Sequence, residues 1–307
     1  MKLGMVNDNH FPTMAPRIPL EVIERIIDDV SEYDDKLSSI KACALVSHSF
    51  LPVCRGHVFD YVVLNERGVR RRPSSFTFSF TSKYFCRLLS NSPHLAAYVR
   101  KLDYNFNNNE FARWSFLSPV WLPMFKKLVN LQHLSISYRP FKNSEPGRKL
   151  DWMSLSERKA LLPLLHLPTL TSISLSRIKN FALADFAGCV NLKELQIQAL
   201  TYSTGASVGK ILEVLPSTPV MLERLAIDEV KVKRVQQLCN ARRPDGKPII
   251  DFSSLKNISA RVAKLDSMTK LFAMWRNLRK INLTCMSLLC YFFTHLMITL
   301  ILQLTVN

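Results

Sequence analysis

The side chains that usually carry catalysis are present in this chain but are not arranged for it. Seven cysteines (Cys43, Cys54, Cys86, Cys189, Cys239, Cys285 and Cys290) are odd in number and scattered, with no Cys-x-x-Cys pair. Neither a zinc site nor a disulfide framework is indicated, and reduced core thiols are the better reading. Histidines at 48, 57, 94, 133, 166 and 295 show no His-Glu-x-x-His string and no paired ligand spacing. Only eight glycines occur, without a Gly-x-Gly-x-x-Gly or phosphate-loop string, which argues against nucleotide enzymes. Asp28, Asp29, Glu32, Asp34 and Asp35 cluster at a helix end and loop rather than in a pocket, so they do not make a glycosidase-like pair. No catalytic residue, metal ligand or cofactor is expected.

The pattern that does emerge suits binding. A phrase of the form Leu-x-x-Leu-x-Leu recurs seven times, starting at Val99, Leu131, Leu170, Leu192, Leu222, Leu255 and Leu278, and three copies are introduced by Asn-Leu at Asn130, Asn191 and Asn277. Such spacing predicts a repeat array in which each phrase is a strand and the stretch between returns as helix or loop. Neighbours in a strand face opposite ways, so the leucines enter the core and the residues between them line the other face. That face is predicted to hold Lys101, Asp103 and Asn105; His133, Ser135 and Ser137; Ser172, Ser174 and Ser176. It continues with Glu194, Gln196 and Gln198; Arg224, Ala226 and Asp228; Asn257, Ser259 and Arg261; Lys280, Asn282 and Thr284. This ladder is polar, rich in serine and nearly neutral. A merely wet sheet face would look the same at any one position, but as a set it is the expected target-binding surface of an array.

The elements that must position this ladder follow from the intervening sequence. A capping box, Ser154 with Glu157, precedes an apolar helical run, and VGKILEVL and VAKLDSMTKLFAMW also have helical spacing. ARRPDGKP reads as a loop. Residues 67–72, RGVRRR, are a basic loop, more simply a solvated linker than a nuclear signal. Residues 281–307 contain no Lys, Arg, Asp or Glu, and 285–306 are long and apolar enough to cross a bilayer. An incomplete repeat or an improperly ended sequence is favoured over a membrane anchor, because the stretch includes His295, Gln303 and other polar residues.

With 307 residues, 48% of them hydrophobic, the chain can bury a substantial core, which excludes disorder of the whole. Its net charge of +17 first suggests nucleic acid or an acidic membrane surface. The charge is uneven, however: the first 60 residues hold six Lys+Arg and nine Asp+Glu, so the excess lies beyond them and mostly off the ladder. Nucleic acid is therefore not the expected partner, and a membrane contact is expected only through 285–307.

The first sixty residues predict three short helices. RIPLEVIERIIDDV has apolar residues at helical spacing behind a proline, Ser38 or Ser39 is placed to cap the second helix, and Pro52 opens the third. So small a helical unit is marginal alone. Ile18-Pro19-x-Glu21-Val22-Ile23-x-x-Ile26-Ile27, then Leu45-Val46-Ser47-x-x-Phe50, then Phe59, resembles an F-box over residues 16–62. Ile18 stands for the usual leucine, and Phe50 for a frequent tryptophan.

The resemblance implies docking on the Skp-type adaptor of a cullin–RING ubiquitin ligase, through Ile18, Pro19, Val22, Ile23, Ile26, Leu45, Val46 and Phe50. Joined to leucine-rich repeats, it resembles the non-catalytic substrate-receptor subunits of such ligases, and FCRLLSNSPHLAAYVRKL is similar to the joining passage in large fungal families of them. The expected fold is α/β: a flexible 1–15, an F-box-like 16–62, a linker and helical cap over 63–94, a leucine-rich-repeat solenoid over 95–284 and the apolar tail. The implied partners are the adaptor with its ligase and an unknown target protein, in cytoplasm or nucleus. The alternative is a non-ligase repeat scaffold or a tail-anchored interaction protein.

Overall fold

The structure is a computed structural model. It describes residues 18–31, 36–65, 78–107, 123–139, 149–153, 155, 158–203, 218–243, 245–262, 275 and 278–285. The Arg67–Arg72 loop, the Ser154–Glu157 capping box, VGKILEVL, nearly all of VAKLDSMTKLFAMW and the tail beyond Cys285 lie outside these residues. Among the described residues, no helix is long and apolar enough to cross a membrane. The chain divides into two compact units, at Val58 and Phe59.

The first unit holds three helices, α1 (Leu20–Ser31), α2 (Lys36–Val46) and α3 (Leu51–Phe59). The Pro19 carbonyl accepts the Val22 and Ile23 amides at 3.1 and 3.2 Å, so the proline opens α1 where its missing N–H costs nothing. Pro52 sits likewise in the first turn of α3. Ser38 and Ser39 fall inside α2 rather than at its cap, because the helix begins at Lys36.

The second unit is α/β, built on one nine-stranded sheet in which every described pairing is parallel. Its strands are β1 (Tyr61–Asn65), β2 (Phe78–Phe80), β3 (Lys101–Asn107), β4 (His133–Arg139), β6 (Ser172–Ser176), β8 (Glu194–Gln198), β10 (Arg224–Asp228), β12 (Asn257–Val262) and β13 (Lys280–Cys285). Two short pairs lie outside it: β5 (Leu150–Asp151) with β7 (Ile178–Lys179), and β9 (Val220–Met221) with β11 (Ile250–Asp251). β1 lies between β2 and β3, and from β3 to β13 each strand of the sheet lies beside the sheet strand that precedes it in the chain, so this part grows by one coil at a time. All seven recurring phrases form strands. Two further strands extend the sheet: β1 starts inside the segment expected to be helical, and β2 lies in the expected linker. β1 fits the same template, with Phe59, Val62 and Leu64 standing for the leucines, and Val62 pairs with Leu102.

The returning segments are α4 (Ser82–Asn91), α5 (Arg158–Leu165), α6 (Val232–Cys239) and the 3₁₀ turns Pro93–Tyr98 and Leu183–Gly188. Leu89, Leu161, Leu164, Phe186, Val235 and Leu238 from these returns share one core with the inward residues of the strands. Hydrogen bonds repeat from coil to coil. Asn130 and Asn191, from the Asn-Leu introductions, donate to the Ala97 and Pro168 carbonyls at 2.7 and 2.6 Å, tying each coil to the one before. Arg177, Ala199 and Glu229, each the first residue after a strand, take left-handed φ of 56, 49 and 51°. The same exit from the sheet is thus used three times by residues that do not favour it.

Candidate functional site

Two apolar stripes run along α1. Ile23 and Ile27, four residues apart, point into a small core with Ile40 and Cys54 and are 2% and 0% exposed. Val22 and Ile26, also four apart but rotated by one residue, stay 46% and 40% exposed. Ile18, Leu20, Leu45 and Val46 are exposed as well, Leu45 at 88%. A helix needs one stripe to join a core. The second carries side chains that each gain about 1.5–3 kcal/mol on full burial.

A cavity of about 300 Å³, with Ala44, Leu45, Cys54 and Val58 in its lining, opens beside α2 and α3. Burial pushes the Cys54 thiol up, with Cys43 adding to the shift, so it is a packing group. Of the eight expected adaptor contacts, Ile18, Pro19, Val22, Ile26, Leu45 and Val46 are exposed. Ile23 is buried, and Phe50 is half-buried against the same core. Both therefore hold the helices in place rather than facing a partner.

On the sheet, strand alternation sorts the side chains as the phrase predicts. Leu102, Tyr104, Leu134, Ile136, Ile173, Leu175, Leu195, Ile197, Leu225, Ile227, Ile258 and Ala260 are buried. The parallel register places the opposite face in three rows across neighbouring strands. The first runs through Lys101, His133, Ser172, Glu194, Arg224, Asn257 and Lys280, and the second through Asp103, Ser135, Ser174, Gln196, Ala226, Ser259 and Asn282. The third runs from Asn65 through Asn105, Ser137, Ser176, Gln198 and Asp228 to Arg261. All twelve residues expected at the target surface (Lys101, Asp103, His133, Ser135, Ser172, Ser174, Glu194, Gln196, Arg224, Asp228, Asn257 and Arg261) lie in these rows.

The third row is largely satisfied within itself. Asn105 donates to Asn65 at 2.9 Å, Ser137 to Asn105, Ser176 to Gln198 at 2.9 Å, and Gln198 to Asp228 at 3.1 Å; Arg261 lies 3.4 Å from Asp228. In the first two rows most charges are paired, Lys101 with Asp60 at 3.4 Å and Arg224 with Glu194, while Tyr61 donates to Asp103; Lys280 has no carboxylate partner among the described residues. Ser135, Ser172, Ser174, Gln196 and Asn257 have no side-chain hydrogen bond among the described residues. Open polar groups thus concentrate near the starts of the strands. His133 sits among them, and burial, then Lys101, lowers its pKa below the ordinary 6.5, so the ring is neutral at physiological pH. A depression of about 290 Å³, lined by residues including Glu194, Gln196, Arg224, Asn257, Ser259 and Lys280, lies on this face.

One buried cluster gave no sequence signal. Asp185 is 0% exposed and accepts from Trp152 Nε1 at 2.6 Å and from Arg158 at 3.1 and 2.8 Å; His166 lies 3.1 Å from its carbonyl. Its partners come from segments 27 and 33 residues away, so no local spacing marks it. A paired, fully bonded carboxylate of this kind ties one return to the next. Among the described residues no group of three or more His, Cys, Asp or Glu is placed to hold a metal. Burial raises the Cys239 thiol pKa to about 12 and that of Cys189 further still, so neither is a nucleophile.

No protein-family model matches this chain, and comparison with curated proteins finds no match.

Proposed function

We propose that the chain is a substrate-recognition subunit of a cullin–RING type ubiquitin ligase. In this reading the helical unit is an F-box that docks on a Skp-type adaptor, and the sheet unit is a leucine-rich-repeat solenoid whose open face binds the target. The observation that carries it is the set of six exposed aliphatic side chains, Ile18, Leu20, Val22, Ile26, Leu45 and Val46, on a unit whose core holds four buried residues among those described. Burying such a set yields gross stabilisation of the order needed to offset about 4–15 kcal/mol of association cost.

The bare sheet face supports the second half. Parallel sheets are normally covered on both faces, whereas here one face is polar and carries hydroxyls and amides without partners among the described residues. A receptor of this kind performs no bond chemistry. It raises the effective concentration of target lysines near the ligase's catalytic arm, in the cytoplasm or nucleus. The test is co-purification of the full chain with a Skp-type adaptor. The wild type captures it, and the Ile18→Asp, Pro19→Ala double variant does not. No capture by the wild type, or retained capture by the variant, leaves a non-ligase repeat scaffold as the reading.

A further inference from the structure

The first residue after the leading leucine in the last four phrases is charged: Lys193, Glu223, Lys256 and Arg279. In the fold these four stand in one rank at the start of β8, β10, β12 and β13. Their backbones are stapled from coil to coil. The Lys193 carbonyl accepts the amides of Glu223 and Arg224, that of Glu223 accepts those of Lys256 and Asn257, and that of Lys256 accepts those of Arg279 and Lys280, all at 2.8–3.1 Å. The rank is therefore rigid. With neighbouring strands about 4.8 Å apart it spans roughly 14 Å, the length of about four extended residues.

A groove of about 640 Å³ opens along this rank. Val190 and Met221, 37% and 42% exposed, supply apolar surface to it. Glu223 is held between Lys193 at 3.5 Å and Lys256 at 2.9 Å, and the Lys256 hydrogen bond keeps its carboxyl below the usual range. Glu194, in the next row, is paired with Arg224. Arg279 and Lys280 have no carboxylate partner among the described residues. The rank and the row beside it thus set five cations, Lys193, Arg224, Lys256, Arg279 and Lys280, against the anions Glu194 and Glu223.

We propose that this groove binds a short acidic peptide segment of the target protein, with carboxylates on Arg279 and Lys256 and an aliphatic side chain over Val190 and Met221. This deepens the target-binding half of the proposed function and rests on it. Two features favour a peptide over a nucleic acid. Among the described residues no aromatic side chain lines the groove for a base to stack on. The Glu223 carboxylate also interrupts the cations of the rank, so an unbroken run of phosphates meets repulsion where an acidic peptide can place its apolar residue. Residues 281–307 contain no Asp or Glu and cannot supply the acidic side chains themselves.

Fluorescence anisotropy on the full-length chain tests this with three labelled probes. They are an Asp-Glu-Leu-Asp-Glu-Leu peptide, its Lys-Lys-Leu counterpart and a single-stranded oligonucleotide of the same charge as the acidic peptide. The acidic peptide binds at least tenfold more tightly than either control and weakens as salt rises. Arg279→Glu with Lys256→Glu lowers its affinity tenfold or more, and Met221→Ser several-fold, with circular dichroism unchanged. Equal binding of the two peptides, tighter binding of the oligonucleotide, or acidic-peptide binding unaffected in a folded charge-reversal variant overturns the proposal. The ranking of probes on the wild type decides the matter even if that variant does not fold. Adaptor capture is measured on the same preparations: its loss alone strikes the ligase reading, whereas loss of peptide selectivity with capture intact strikes only the groove.

Discussion

The two units of this chain solve the problem of burial in opposite ways. Among the described residues the helical unit has four buried core residues and leaves six aliphatic side chains exposed, while the sheet unit carries a core from β1 to Trp275 and presents a face of hydroxyls, amides and mostly paired charges. A unit of under 60 residues at about 0.05–0.15 kcal/mol per residue is stable by only a few kcal/mol, and its unburied aliphatics are what a partner would cover. The sheet unit has an extended core of its own, and among the described residues its polar face is short of hydrogen-bond partners rather than of core. On the proposed function the two units make two kinds of contact, an apolar one that completes a fold and a polar one that selects a ligand.

Equal damage to each unit sharpens the difference most. Asp185→Ala leaves Arg158 facing an unpaired site and frees Trp152 Nε1, at a cost of about 3–5 kcal/mol. Ile27→Ala removes the most buried residue of α1, at about 2–5 kcal/mol. The first lowers the urea midpoint of the sheet unit yet leaves it folded at 25 °C. The second approaches the whole stability of the helical unit, so amides of α1 to α3 lose hydrogen-exchange protection while those of β3 to β10 keep theirs. Equal loss of protection in both units would break the comparison.

Gly188→Ala tests the packing of the returns. A Cβ there would lie 2.5 Å from the His166 ring, so the variant loses about 1–3 kcal/mol by denaturant titration. His133 probes the polar face through pH. Its folded pKa is depressed, so as pH falls through 6.5 the unfolded chain takes up the proton first and the sheet unit loses stability. Above that pH the group contributes nothing, and His133→Gln flattens this part of the profile, read from melting temperatures between pH 5 and 7.5. The smallest expected effect is at the strand exits: Glu229→Gly relieves a left-handed φ and raises stability by about 0.5 kcal/mol, seen as a small rise in the urea midpoint.

Much of the sheet unit is legible from the chain alone, because one phrase recurs and alternation fixes facing. All seven phrases are strands, and the polar ladder falls into register rows. β1 is harder to see because Phe59 and Val62 stand where the template has leucine, and β2 because its alternating phenylalanines follow the basic run. The helix α6 was hidden in a charged stretch, VKVKRVQQLC, whose burial of Val235 and Leu238 depends on the neighbouring coils. Asp185 is illegible for a stronger reason: a buried charge is identified by its partners, and these are distant in sequence. In the helical unit the pattern marks Ile23 and Val22 as equally apolar; only packing shows that a one-residue rotation makes one core and the other surface. The charged rank at Lys193, Glu223, Lys256 and Arg279 has a signal in the position after each leading leucine, visible once the coils are stacked.

The claim that the helical unit is completed by a partner is tested most directly by calorimetry of the full chain with and without a purified Skp-type adaptor. The account predicts two transitions, the lower belonging to the helical unit, and a rise of that transition with adaptor concentration while the upper stays in place. A lower transition that does not move at saturating adaptor would contradict it.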